Sequence, residues 1–92
     1  MSINKVNSTD TQNNRLAVIA VIVEETTAVA EINALLSEYG KFIVGRMGLP
    51  NVKENVNVIS IVLSAPLETI NALTGKLGSI RGVNAKTLFS KV

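Results

Sequence analysis

The stretch ALTGKLGSIRGVNAKTLFS, residues 72–90, holds Gly75, Gly78 and Gly82 with Lys76 and Arg81 between them. Glycines beside a lysine are the material of a phosphate cradle, where bare backbone amides and an ammonium meet an anion. The spacing argues against one here. A P-loop requires Gly-Lys-Ser/Thr at the start of a helix, and Gly75-Lys76 is followed by Leu77. A dinucleotide fingerprint requires G-x-G-x-x-G, whereas these glycines lie three and four residues apart. The segment also closes an apolar-periodic helix, and a helix C-terminus carries partial negative charge that suits Lys76 and repels phosphate.

Two other groups can do chemistry. Glu24, Glu25, Thr26 and Thr27 lie between an apolar run and a helical pattern. Free amides at that helix start could take a carboxylate while a glutamate takes an amine, which would suit a small amphoteric ligand. The plainer reading is capping by Thr26 or Thr27 with acids placed favourably for the helix dipole. Gly45 and Gly48 flank Arg46 and Met47. They mark an irregular strand shaped for packing, or backbone open to a ligand or a neighbouring chain. Tyr39 reads as a residue at the edge of the core. The candidate ligand-binding residues are therefore Glu24, Glu25, Thr26, Thr27, Gly45, Arg46 and Gly48, with no catalytic residue and no metal set.

Composition narrows the chemistry further. The chain has no cysteine and no histidine. Disulfides, thiolate metal sites and thiol nucleophiles are thereby excluded, as are a Ser-His-Asp triad and the commonest metal ligand. No cofactor is expected. Charged residues make up 17% of the chain, below the usual ~25%. Such a small, apolar domain gains from association. The net charge of +2 hides a split: residues 1–40 carry two basic and five acidic residues, residues 41–92 seven basic and two acidic. No dense basic cluster results, which disfavours direct nucleic-acid binding and leaves complementary contact between chains. No apolar run reaches the ~20 residues a membrane span requires, and the start of the chain lacks a signal-type apolar core. The expected location is the cytoplasm.

These residues need elements to position them. Residues 1–14 are polar and without period and are expected to be a disordered tail. RLAVIAVIV, residues 15–23, is apolar at nearly every position, as in a central strand buried on both faces. Residues 24–40 form a helix, with Ala28, Ile32, Leu35, Leu36 and Tyr39 on one face and Gly40 as its stop. Residues 41–49 read as a second strand, 50–55 as a turn and 56–64 as a third strand with Ile59, Ile61 and Leu63 on one face. Residues 65–80 read as a helix with Pro66 in its first turn and Leu67, Ile70, Leu73, Leu77 and Ile80 at helical spacing. Gly78 is the expected positive-φ cap, and Gly82 begins a last strand over 82–90. Gly75 falls inside the helix, off the apolar stripe, and has no local reason.

The order β-α-β-β-α-β is the ferredoxin-like arrangement, an α+β fold with two helices on one face of a four-stranded antiparallel sheet. The first and third strands are apolar on the face without helices as well. A second copy of the sheet would cover it. Other uses of this topology fail on residues. RNA binding stacks bases on aromatics in the first and third strands, and neither strand has one. Metal chaperones and ferredoxins need cysteines, phosphohistidine kinases need histidine, and acylphosphatase chemistry needs an arginine in the first loop.

The run NALTGKLGSIRGVNAKTLFSKV, with FIVGRMGLP and VNVISIVLSAPLETINAL, strongly resembles the iron-only hydrogenase system regulators over residues 15–92. That family is ACT-like and similar to the ligand-binding, tetramer-forming domain of nickel-responsive repressors. The resemblance implies a homo-oligomer, dimer or tetramer, with a regulatory role and a small effector held between chains. The nickel ligands of those repressors are histidines and a cysteine, which this chain lacks. ACT domains that bind amino acids place a glycine in the first loop, and VEETTA has none. The leading expectation is a non-enzymatic regulatory module that assembles through its sheet. The alternative is a scaffold that binds a protein partner and no small ligand.

Overall fold

The computed structural model describes residues 13–92. The expected polar tail thus lies outside the described residues up to position 12. Asn14 already belongs to the first strand. The elements are β1 (Asn14–Val23), a 3-10 turn (Thr26–Ala28), α1 (Val29–Glu38), a 3-10 turn (Gly40–Phe42), β2 (Ile43–Lys53), β3 (Val56–Pro66), α2 (Leu67–Gly78) and β4 (Val83–Phe89). The sheet order is β2-β3-β1-β4 and every pairing is antiparallel. This is the expected ferredoxin-like arrangement.

One face of the sheet packs under both helices. Ala17, Ile19, Val21 and Val23 of β1 and Ile59, Ile61, Leu63 and Ala65 of β3 are buried there. Ile32 and Leu36 of α1 and Ile70, Leu73 and Leu77 of α2 meet them from the other side. No polar side chain is buried among the described residues. The helices need only their apolar stripes to dock, and both stripes follow the 3.6-residue period. Thr74 adds one polar stitch. Its Oγ1 donates to the Ile70 carbonyl at 2.8 Å and lies 2.5 Å from Thr87 Oγ1 on β4.

Several local expectations are corrected. No threonine side chain caps α1, because the 3-10 turn at Thr26–Ala28 supplies its first backbone bonds instead. Gly40 opens a second 3-10 turn and does not take a positive φ. Leu67 sits at the exposed start of α2, 43% accessible, outside the buried stripe. The segment 50–53 extends β2, and only residues 54–55 form the turn. Asn51 and Asn55 take φ of 54° and 61° there, a conformation asparagine tolerates.

The helix-to-strand connection also differs. Gly78 ends α2 without a positive φ, and Ser79 follows in the helical region with its N–H on the Gly75 and Lys76 carbonyls. Gly82 takes the left-handed φ of 80° instead. It is the third residue of a turn closed by Val83 N donating to Ile80 O at 3.0 Å. That position takes positive φ in a type II turn. A Cβ on Gly82 would fall 2.7 Å from Glu25 Cβ, and Glu24 N donates to Gly82 O at 2.8 Å. Gly82 thus lets the first loop pass over the start of β4.

Candidate functional site

The central geometric fact is the open face of the sheet. Register defines three cross-strand rows on the side away from the helices. They are Leu49–Val58–Ile22–Asn84, Met47–Ser60–Ala20–Lys86 and Gly45–Val62–Val18–Leu88. Leu88 is 73%, Met47 62% and Leu49 49% accessible, with Ile22 at 41%. So β1, expected to be buried on both faces, is buried on one. Its other face presents Leu16, Val18, Ala20 and Ile22. β-branched and small side chains from Ala17 to Val23 make a strand that is apolar on both sides, and one chain covers only one side.

The expected ligand residues divide among three places. Gly45 lies on the open face, opposite Val62. Arg46 and Gly48 lie on the helix side, opposite Ile61 and Ile59. A one-residue step along a strand reverses the face, and this separates neighbours in sequence. Glu24, Glu25, Thr26 and Thr27 form the exposed loop after β1, against Gly82 and β4. They do not line the same recess as Arg46.

Arg46 and Gly48 border a groove of about 200 Å³ whose walls include Val29 and Asn33 of α1, Pro50 of β2 and Asn57 and Ile59 of β3. Arg46 Nη2 donates to Asn33 Oδ1 at 3.1 Å, tying β2 to α1. Asn51 N donates to Asn57 Oδ1 at 2.8 Å, which shapes the base of the hairpin turn. A Cβ on Gly48 would meet nothing within 4 Å, so the backbone there faces open space. Sequence reasoning does not single out Asn33 or Asn57. A lone asparagine on an exposed helix and another on a strand carry no spacing signal. Their relation appears only once β2, β3 and α1 are assembled.

A second recess, about 380 Å³, lies between the end of α1 and the start of α2 and includes Glu38, Tyr39, Phe42 and Glu68. One of its two carboxylates already has a partner. Lys76 Nζ sits 4.0 Å from Glu38 and 5.2 Å from the Tyr39 ring centre, and Lys41 Nζ 5.2 Å from that of Phe42. The hydrogen bond from Lys76 to Tyr39, aided by the charges of Tyr39 and Glu38, holds its ammonium above the usual lysine value. Tyr39 itself is 9% accessible and part of the core, as its place on the stripe implies. No group of acids or other ligands able to hold a metal occurs among the described residues. Among the described residues no helix is long and apolar enough to cross a membrane.

Comparison with known proteins agrees with this frame. The structure of the uncharacterized protein TM1266 from Thermotoga maritima is similar over 85% of this chain and 99% of that one, with 37% identity and a TM-score of 0.80. The C-terminal domain of the MgtC protein from Mycobacterium tuberculosis shares the fold at 12% identity and a TM-score of 0.69, over 87% of this chain and 92% of that one. CPII, a nitrogen regulatory PII-like protein from Thiomonas intermedia K12 bound to ADP, AMP and bicarbonate, shares it at 16% identity and a TM-score of 0.55. That match spans 85% of this chain and 92% of CPII. No curated protein matches the chain. The family model that matches residues 15–87 is TM1266-like, described as "Iron-only hydrogenase system regulator, putative". With most of its length matched, the chain belongs to this TM1266-like family of iron-only hydrogenase system regulators.

Proposed function

We propose that the chain is a non-enzymatic regulatory module of the iron-only hydrogenase system, working in the cytoplasm as a homo-oligomer that closes through the open sheet face. The observation that carries this reading is the apolar open face of Leu16, Val18, Ile22, Met47, Leu49, Val62 and Leu88, on a chain whose other sheet face packs under the helices along β1 and β3. Exposed contiguous apolar surface on so small a domain favours a partner, and a sheet covers a sheet at about 10 Å spacing. A two-fold pairing would place the same rows against each other. A small effector completes the reading. Arg46 and Gly48 offer it the helix-side groove, while Gly45 belongs to the assembly face of the same strand. The first loop, Glu24 to Thr27, begins one residue beyond the Val23–Asn57 pair that borders the groove. A scaffold without a ligand would leave the uncovered groove without purpose.

The variant Val18→Lys tests the assembly. Val18 sits mid-sheet between Val62 and Leu88, and an ammonium there would be desolvated on closure. Light scattering should give a multiple of the chain mass for the wild type and the single-chain mass for the variant, with unchanged circular dichroism. A wild type and a variant of equal mass would refute the proposed interface.

A further inference from the structure

The groove between α1 and the β2–β3 hairpin has a hydrogen-bond character that selects its ligand. Three polar side chains line it: Arg46, Asn33 and Asn57. The acceptor oxygen of each amide is engaged. Asn33 Oδ1 takes a bond from Arg46, and Asn57 Oδ1 takes one from Asn51 N. The groups left over are mostly donors, the rest of the guanidinium and the two amide NH2 groups, beside one lone pair on each amide oxygen. Among the described residues no carboxylate lies within ion-pair distance of Arg46. The recess therefore presents one positive charge, a surplus of donors and no carboxylate. Val29, Pro50 and Ile59 supply apolar wall beside it.

We propose that this groove binds a small monocarboxylate with a short apolar tail. The carboxylate is acceptor-only and its two oxygens match the fork of a guanidinium. A single cation suits a monoanion, whereas a phosphate dianion would leave charge uncompensated in a recess without a lysine. An α-amino acid fits less well, because its ammonium would lie beside the Arg46 guanidinium with no carboxylate on the groove wall to offset it. The volume, about 200 Å³, is below the ~300 Å³ where sites for drug-sized ligands begin, which restricts the tail to a few carbons. The assignment rests on the effector part of the function proposed above and is independent of how many chains assemble.

The test is an NMR titration of the full chain with butyrate, with valine and inorganic phosphate as parallel arms and chloride held constant. Butyrate should produce saturable shifts at the Arg46 Nε–H, the Gly48 amide and the Asn33 side-chain amide. Arg46→Gln should weaken binding about tenfold or more, and Arg46→Lys should keep part of it. Valine and phosphate should bind more weakly than butyrate. Butyrate shifts that are absent, that persist in Arg46→Gln, or that centre on Glu25 and Gly82 would overturn the site. Phosphate or valine binding as tightly as butyrate would overturn the ligand class. Chain mass measured in the same samples keeps a failure of assembly separate from a failure of this site.

Discussion

Gly82 and Gly75 lie seven residues apart and make opposite demands. Gly82 holds φ of 80° with Glu25 packed over it, so a side chain is excluded by both conformation and contact. Gly82→Ala should cost roughly 1–3 kcal/mol in denaturant unfolding. An unchanged midpoint would mean that the loop at Glu25 yields freely. A Cβ on Gly75 meets nothing within 4 Å, and the residue sits on the exposed side of α2. Nothing within the described chain explains a glycine there. Gly75→Ala should therefore stabilise the chain by about 1 kcal/mol. A loss of stability or a change in oligomeric mass would instead reveal another chain passing close to α2. Titration behaves as simply. With no histidine or cysteine, no side chain has an ordinary pKa near neutrality. Lys76 is raised above 10.5 by its hydrogen bond to Tyr39 and by the Tyr39 and Glu38 charges. A raised folded-state value adds stability that is fully present below the unfolded pKa and is lost as pH rises through the folded one. Unfolding midpoints should stay flat from about pH 6 to about pH 9 and fall only in alkali. A midpoint that does not fall in alkali would show that the contacts of Lys76 add nothing to stability.

Among the elements, β2 differs from its neighbours. From Val44 to Lys53 every residue is exposed, and among the described residues only β3 pairs with it. The register shifts between Ile43 and Gly45 and again between Leu49 and Lys53. A strand held on one side, with glycines at 45 and 48, opens more readily than one paired on both sides. In the monomeric Val18→Lys variant, amide exchange should be faster across Val44–Lys53 than across Ala17–Val23. Equal protection in the two strands would show that β2 is held by something other than β3. The sequence shows β3 and both helices through the period that a buried face imposes, and β1 through its unbroken apolar run. It shows β2 only to Leu49, because no face of β2 is buried and Pro50, Asn51 and Lys53 resemble a turn. The sequence places the positive-φ glycine at Gly78, as the cap that ends a helix. Its true position depends on the first loop crossing β4, a contact between segments distant in sequence. Arg46 and Gly48 were legible as candidates, and the two amides that complete their groove were not.

At the scale of the molecule, β2 joins two surfaces. Arg46 and Gly48 face the groove, while Gly45, Met47 and Leu49 face the open side. A ligand that fixes the first set fixes the second, and linkage makes the coupling reciprocal. Under the proposed function, that arrangement would convert occupancy of the groove into strength of assembly. It depends on one claim above all others, that the open sheet face is covered in solution by another copy. Sedimentation velocity of the wild-type chain over a range of micromolar concentrations measures this directly. The account predicts a dimer or tetramer that persists on dilution to the low micromolar range. A single species at the chain mass across the whole range would contradict it.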